Sequence, residues 1–213
     1  MKKTLAAVAL LLLICGVAKA QDSPTVETFG GYSLARIGST TSNLGALGSS
    51  IGLTNVQTSN LQKAGFETSA AFNFNQYLGI EMDFRWNQGT LLSGTIPGTG
   101  TIHANLRNMA FLSGPRFTVR RNKTITPFAH VLFGGNITTV SASGAASGSS
   151  IGVSASASNT GYAIVAGGGV DVRVNRLMAI RLGQIDYVRT HTFQTNMNNL
   201  AVSCGLTLRL GGK

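Results

Sequence analysis

Cysteine is almost missing from this chain. It has two, of which Cys15 lies in an N-terminal apolar run and Cys204 near the other end. Once that run is removed no internal disulfide is possible, so an exported domain has to hold together without one. Proline is scarce, at Pro24, Pro97, Pro115 and Pro127. Charge is scarce too: 11% of residues carry it, with 7 acidic against 17 basic, a formal +10. Beyond residue 20 the only lysines are Lys63, Lys123 and Lys213, at strand ends, turns or the terminus. A soluble β-protein usually scatters Lys over its outer face and its edges. Past residue 17 no run approaches ~18 apolar residues, which excludes a membrane-spanning helix. A chain of this kind enters a bilayer only as a closed barrel. His103, His130 and His191 are scattered, without an H-E-x-x-H or paired-cysteine spacing, so no metal or cofactor site is expected.

What is present starts with a leader. Met1-Lys2-Lys3 is a basic start, Leu5 to Val17 an apolar core, and Ala18-Lys19-Ala20 an A-x-A cleavage site. This predicts a signal peptide over 1–20 and one barrel domain over 21–213. Cys15 does not make a lipoprotein signal, because Ile14 stands where a small residue is needed. Cleavage after Ala20 removes Lys2, Lys3 and Lys19 and leaves +7 of the +10.

Alternation is the second feature. In Leu78–Trp86, Leu78, Ile80, Met82, Phe84 and Trp86 alternate with Gly79, Glu81, Asp83 and Arg85. A period of two over nine residues is a strand with one apolar and one charged face. Similar segments run over Val26–Arg36, Phe66–Phe74, Ala104–Val119, Ile125–Gly135, Tyr162–Arg173, Met178–Arg189 and from Leu200 to Leu210. Gly114-Pro115 predicts a bulge, since proline cannot donate to a ladder. The alternation slips by one at Gly183, which predicts another. Asn75-Gln76, Arg120–Thr124 and Asn175-Arg176 are short turns. Ile37–Gln62, Asn87–Ile102 and Asn136–Asn159 read as long loops rich in Gly, Ser and Thr, without a charged residue; the last reads as a hairpin projecting beyond the membrane.

Eight strands with short and long connections in alternation predict an all-β fold: an eight-stranded antiparallel up-and-down transmembrane barrel, termini and short turns on the periplasmic side. Strands of nine to twelve residues suit the ~9–11 needed to span. Leu78, Ile80, Met82, Phe84 and Trp86 are expected to face lipid. Glu67, Glu81, Asp83, Arg85, Arg116, Asp171, Arg173, Arg181, Asp186 and Arg209 are expected to form a charge network in the lumen. An eight-stranded interior is just wide enough for side chains to fill, and buried charges have to be paired. Tyr32, Phe74, Tyr77, Trp86, Tyr162 and Tyr187 are placed near strand ends, as interfacial girdles.

The leader together with FGGYSLAR, GIEMDFRW, GPRFTVRRNKTITPFAHVLFGG and GVDVRVNRLMAIRLGQIDYVRT resembles the small outer-membrane β-barrel family, the group of OmpA/OmpX-type barrels and opacity-type surface proteins. The resemblance covers essentially all of 21–213. It implies a barrel in a Gram-negative-type outer membrane, placed there with periplasmic chaperones and the insertion machinery, in contact with outer-membrane lipid, and monomeric. Family members often end on an aromatic residue. This chain ends its last strand at Leu210 and adds Gly211-Gly212-Lys213.

Catalysis is not expected. Gly48–Gly52 and Gly148–Gly152 match G-x-S-x-G, but in Gly/Ser-rich loops and not at a strand-to-helix turn. Gly167-Gly168-Gly169 is read as relief of crowding in a tight barrel, and His130 as a lumen or core polar residue. The expected role is structural or surface interaction through uncharged loops, with the lumen plugged. The alternatives are a low-conductance channel, and a lipid-A-modifying barrel enzyme or a secreted ligand-binding barrel. Without Lys or Arg, the loops are expected to give no salt-dependent binding to nucleic acid or heparin-like chains.

Overall fold

The computed structural model describes residues 24–37, 54–58, 62–96, 100–122, 124–146, 152–192 and 195–211. The leader, segment 38–53 and the motif serines Ser50 and Ser150 lie outside the described residues. Among the described residues nine strands are formed: β1 (Val26–Ile37), β2 (Thr54–Thr58), β3 (Gln62–Asn73), β4 (Leu78–Ile96), β5 (Gly100–Thr118), β6 (Ile125–Ala146), β7 (Gly152–Arg173), β8 (Met178–Thr192) and β9 (Thr195–Leu210). Every pairing is antiparallel. β1 pairs with β9 from Val26↔Leu210 to Ile37↔Asn199, and β4 with β5, so eight strands close into a barrel. Closure gives every spanning strand two neighbours, which is what makes such a sheet tolerable in lipid.

The turns at one end repeat a local device. In Phe74–Leu78 the Asn75 carboxamide oxygen accepts from the Tyr77 and Leu78 amides, both at 2.8 Å. In Val174–Met178 the Asn175 oxygen accepts from Leu177 and Met178, again at 2.8 Å. Asparagine suits such turns because its side chain substitutes for a backbone acceptor. The described chain ends lie at this same end: the Asn73 side chain donates to the Pro24 carbonyl, and Thr25 Oγ1 donates to the Gly211 carbonyl. This is the periplasmic end of such a barrel.

At the opposite end the strands run further than the alternation predicts. Of the predicted loops, residues 87–96, 100–102, 136–146 and 152–159 are strand. β4 and β5 stay paired to Ile96↔Gly100, and β6 and β7 to Ala145↔Gly152. β7 meets β8 only from Tyr162↔His191 inward. Residues 152–160 therefore run beyond the ladder to β8, about 30 Å of strand at roughly 3.3 Å per residue. β2 adds a short strand to this extension opposite Leu92–Thr95. Trp86 and Tyr162 consequently lie in mid-strand, and the girdle they mark is the end of the apolar band rather than the end of the sheet.

The slip at Gly183 is a bulge. Val170 pairs with Gly183 but Asp171 with Arg181, and on the other side the shift falls between Arg181 and Gln184. It keeps both Arg181 and Gln184 inside. The bulge expected at Gly114-Pro115 is not formed. Ser113↔Phe133 and Arg116↔His130 keep one register, and only the two intervening pairs are missing. Loss of a single N–H donor interrupts a ladder in this way without adding a residue.

Candidate functional site

Alternate side chains of each strand enter the bore, and they form layers. The layer at the periplasmic end and the middle is charged. All six described carboxylates lie in it, buried: Glu27, Glu67, Glu81, Asp83, Asp171 and Asp186. They meet Arg85, Arg116, Arg120, Arg181 and Arg209, and His130.

Glu27 draws together the Arg209 and Arg120 guanidiniums, each at 3.1 Å, and Arg116 at 3.6 Å. Arg116 passes to Asp171 at 3.2 Å, and Arg181 Nε binds Asp171 at 2.8 Å. Arg181 Nη1 donates to the Gln184 side-chain oxygen at 2.6 Å. The Gln184 amide donates in turn to Glu67 at 2.7 Å and Asp186 at 2.6 Å. Arg85 holds Asp83 and Asp186, both at 2.7 Å. His130 closes the circuit: Nδ1 lies 2.9 Å from Glu81 and Nε2 2.9 Å from Asp186. Ser69 and Ser203 donate to Glu81 and Glu67 at 2.7 and 2.6 Å.

Both imidazole nitrogens face carboxylate oxygens, and each has to be a donor, which only the imidazolium provides. In formal charge, six carboxylates then stand against five guanidiniums and one imidazolium. Two phenyl rings complete it. The Arg181 guanidinium lies over Phe29 at 4.0 Å and over Phe128 at 4.3 Å; Arg116 lies over Phe128 at 4.1 Å. Room for the rings comes from glycine. A Cβ on Gly31 would strike the Phe29 ring, one on Gly169 would reach Phe128 at 3.0 Å, and one on Gly167 would strike the Asp186 carboxylate.

Above the charges the bore turns apolar. Ala110, Leu112, Leu132, Ala163, Val165, Val188 and Ala201 form one buried cluster across it. Leu132 and Val165 have no exposed surface. Next outward is an amide and hydroxyl layer, in which Asn136 donates to Thr138 and Thr192 and Thr138 to Asn108, each at 3.0 Å. A cavity of about 30 Å³, lined in part by Asn87, Asn108 and Asn199, is the space left there.

Nine of the ten residues expected in the lumen network are brought together. Arg173 is not: at the last position of β7 its Nε donates to the Asn175 carbonyl, 3.2 Å away, in an exposed turn. Alternation alone missed Glu27, Arg120, Gln184, the two phenylalanines and the apolar layer. The inward parity of Val26–Arg36 does contain Glu27 and Phe29, but only the ladder to β9 reveals their partners. Leu78, Ile80, Met82, Phe84 and Trp86 all point outward, and Phe66 packs between Phe84 and Trp86 with ring centroids 5.6 Å from each.

Solved structures that share this fold include two of one protein. The crystal structure of Ail, the attachment invasion locus protein of Yersinia pestis, aligns with a TM-score of 0.54 at 16% identity, covering 87% of this chain and 99% of Ail. Ail in complex with the heparin analogue sucrose octasulfate aligns at 0.52 and 16%, with the same coverage. No curated protein sequence matches significantly. The family model described as the outer membrane protein beta-barrel domain matches residues 6–209. The chain therefore belongs to the outer membrane protein β-barrel domain family: it is a transmembrane-type barrel of the outer membrane.

Proposed function

We propose that this barrel does no transport and no chemistry in its bore, and serves as a rigid membrane base for the β-sheet that it extends beyond the membrane. The observation that carries the reading is the sequence of layers inside. A network in which each buried charge has an oppositely charged partner is followed by an apolar layer built on Leu132, Val165, Leu112 and Val188. An ion would have to displace paired charges and then cross hydrocarbon, and both steps are costly.

The extension suits contact with a neutral surface. Residues 87–106 and 134–161 hold no Asp, Glu, Lys or Arg. Ser, Thr and Asn offer hydrogen bonds without salt dependence. The sulfated ligand in the Ail complex belongs to Ail; here residues 87–106 and 134–161 carry no Lys or Arg to meet one. Planar-bilayer recording of the refolded full chain tests the reading. Bilayers that stay silent support it, and discrete, stable conductance steps would refute it in favour of a narrow channel.

A further inference from the structure

The interior holds charge of both signs; among the described residues the outward surface holds only cations. No described carboxylate faces out, since all six are in the bore. Arg36, Arg107 and Arg189 are exposed on the outward face of β1, β5 and β8. They stand just beyond Tyr32, the Trp86↔Met109 pair and Tyr187, on the side of the long strands. Among the described residues none of the three has a hydrogen-bond or ion-pair partner. They form a level of cation where the apolar band gives way to the outside.

At Arg107 that level meets a groove of about 710 Å³. It opens because β3 leaves β4 at Ala64↔Gln88, and β4 bends away through a bulge between Thr90 and Leu92. The lower wall is aromatic, from Tyr32, Phe66 and Trp86, and continuous with the lipid-directed band. The upper wall is polar, from Gln88, Asn105 and Arg107. Apolar below and cationic above is the complement of an amphiphile seated in a membrane, chains down and anionic head up.

We infer that this groove binds one outer-leaflet lipid with a phosphorylated headgroup, its chains against Tyr32, Phe66 and Trp86 and its phosphate on Arg107. A soluble anion would use only Arg107 and leave the aromatic wall unmatched. A neutral lipid would leave the guanidinium unpaired. The inference is independent of whether the bore conducts.

Trp86 is the only tryptophan of the chain and lines the groove, so its fluorescence reports occupancy. The full chain would be folded in dodecyl maltoside micelles, which contain no phosphate. The probe is phosphatidic acid with brominated acyl chains, compared with diacylglycerol carrying the same chains. Phosphatidic acid is expected to quench Trp86 at a mole fraction about fivefold lower, the effect of one cation near a membrane surface. Arg107→Gln should abolish that difference, while Arg189→Gln, three strands away, should keep it. Equal quenching by the two lipids in the wild-type protein would overturn the inference whatever the variants do. So would a difference that survives Arg107→Gln, or displacement of the lipid by millimolar inorganic phosphate. Arg107 is exposed and unpartnered, and the folded, unboiled gel band of its variant verifies that the barrel is intact.

Discussion

Replacing His130 with leucine tests whether the interior network is held by charge balance or only by packing. The leucine approximates the volume of the imidazole but removes both of its donors. Glu81 Oε2 and Asp186 Oδ1 each lose a partner at 2.9 Å. Neither is left bare. Glu81 keeps Ser69 at 2.7 Å and Arg116 at 3.7 Å, and Asp186 keeps Arg85 at 2.7 Å and Gln184 at 2.6 Å. A bond to a charged group contributes about 1.5–3 kcal/mol, and breaking a buried pair from one side costs about 3–5 kcal/mol. The remaining partners place the expected loss near the lower figure, about 3 kcal/mol. In urea, with a slope of roughly 2 kcal/mol per molar, the midpoint should fall by about 1.5 M. Trp86 fluorescence of the protein in phospholipid vesicles follows the transition. His130→Gln, which restores a donor without the charge, should lie between the two. A leucine variant within about 0.5 kcal/mol of wild type, the range of inconsequential changes, would show that the imidazolium is not what balances Glu81 and Asp186.

Three further outcomes follow from the same packing. Gly167→Val should cost about 1–3 kcal/mol in the same vesicle assay, because the new side chain occupies the place of the Asp186 carboxylate, whereas Gly183→Ala, with nothing within 4 Å of its Cβ, should be neutral. Leu132→Ala opens a void in the fully buried apolar layer and should lower stability by about 2–5 kcal/mol, with the folded gel band retained. Arg181→Lys keeps the charge but loses the two-pronged grip on Asp171 and the flat contact with Phe29 and Phe128; its unfolding midpoint should fall measurably, while that of Arg173→Lys, in the exposed turn, should not move.

Much of this fold is legible in the sequence, and the reason is Leu78–Trp86. Nine residues of strict alternation fix two faces; that the face holding Glu81, Asp83 and Arg85 is the inner one follows from the rest of the chain, from its scarce lysine and its alternating short and long connections. Gly183 was equally readable, because a bulge leaves its mark on one strand alone. The extended sheet was not. Segments such as Val153-Ser154-Ala155-Ser156 have the composition of a loop, and what makes them strand is the ladder to β6, a property of two segments together. Pro115 misleads for a related reason: a missing donor and an added residue leave the same mark in the sequence, and only the ladder to β6 tells them apart. Arg173 had the correct parity, but parity does not tell how deep a residue lies, and at the rim a guanidinium finds a turn carbonyl sooner than a carboxylate. Phe29 and Phe128 defeat any rule that apolar side chains of such a barrel point outward. They are inside because glycines beside them, Gly31 on the same strand and Gly169 on the adjoining one, make room, and the Arg116 and Arg181 guanidiniums lie on their faces.

The seam between β1 and β9 bears on how the barrel comes to exist. The short turns let β3–β4 and β7–β8 form from neighbouring sequence, within reach of local nucleation. The seam joins segments at opposite ends of the domain, and its ion pair links Glu27 to Arg209 across 182 positions. Contacts of such separation form slowly and late. Glu27 is also the residue at which Arg116, Arg120 and Arg209 converge. Until the last strand docks, two arginines from the middle of the chain share a carboxylate that still lacks its third partner. Zipping the cylinder shut and completing its electrostatics are then a single cooperative event, and a partly assembled sheet cannot rest comfortably in the membrane.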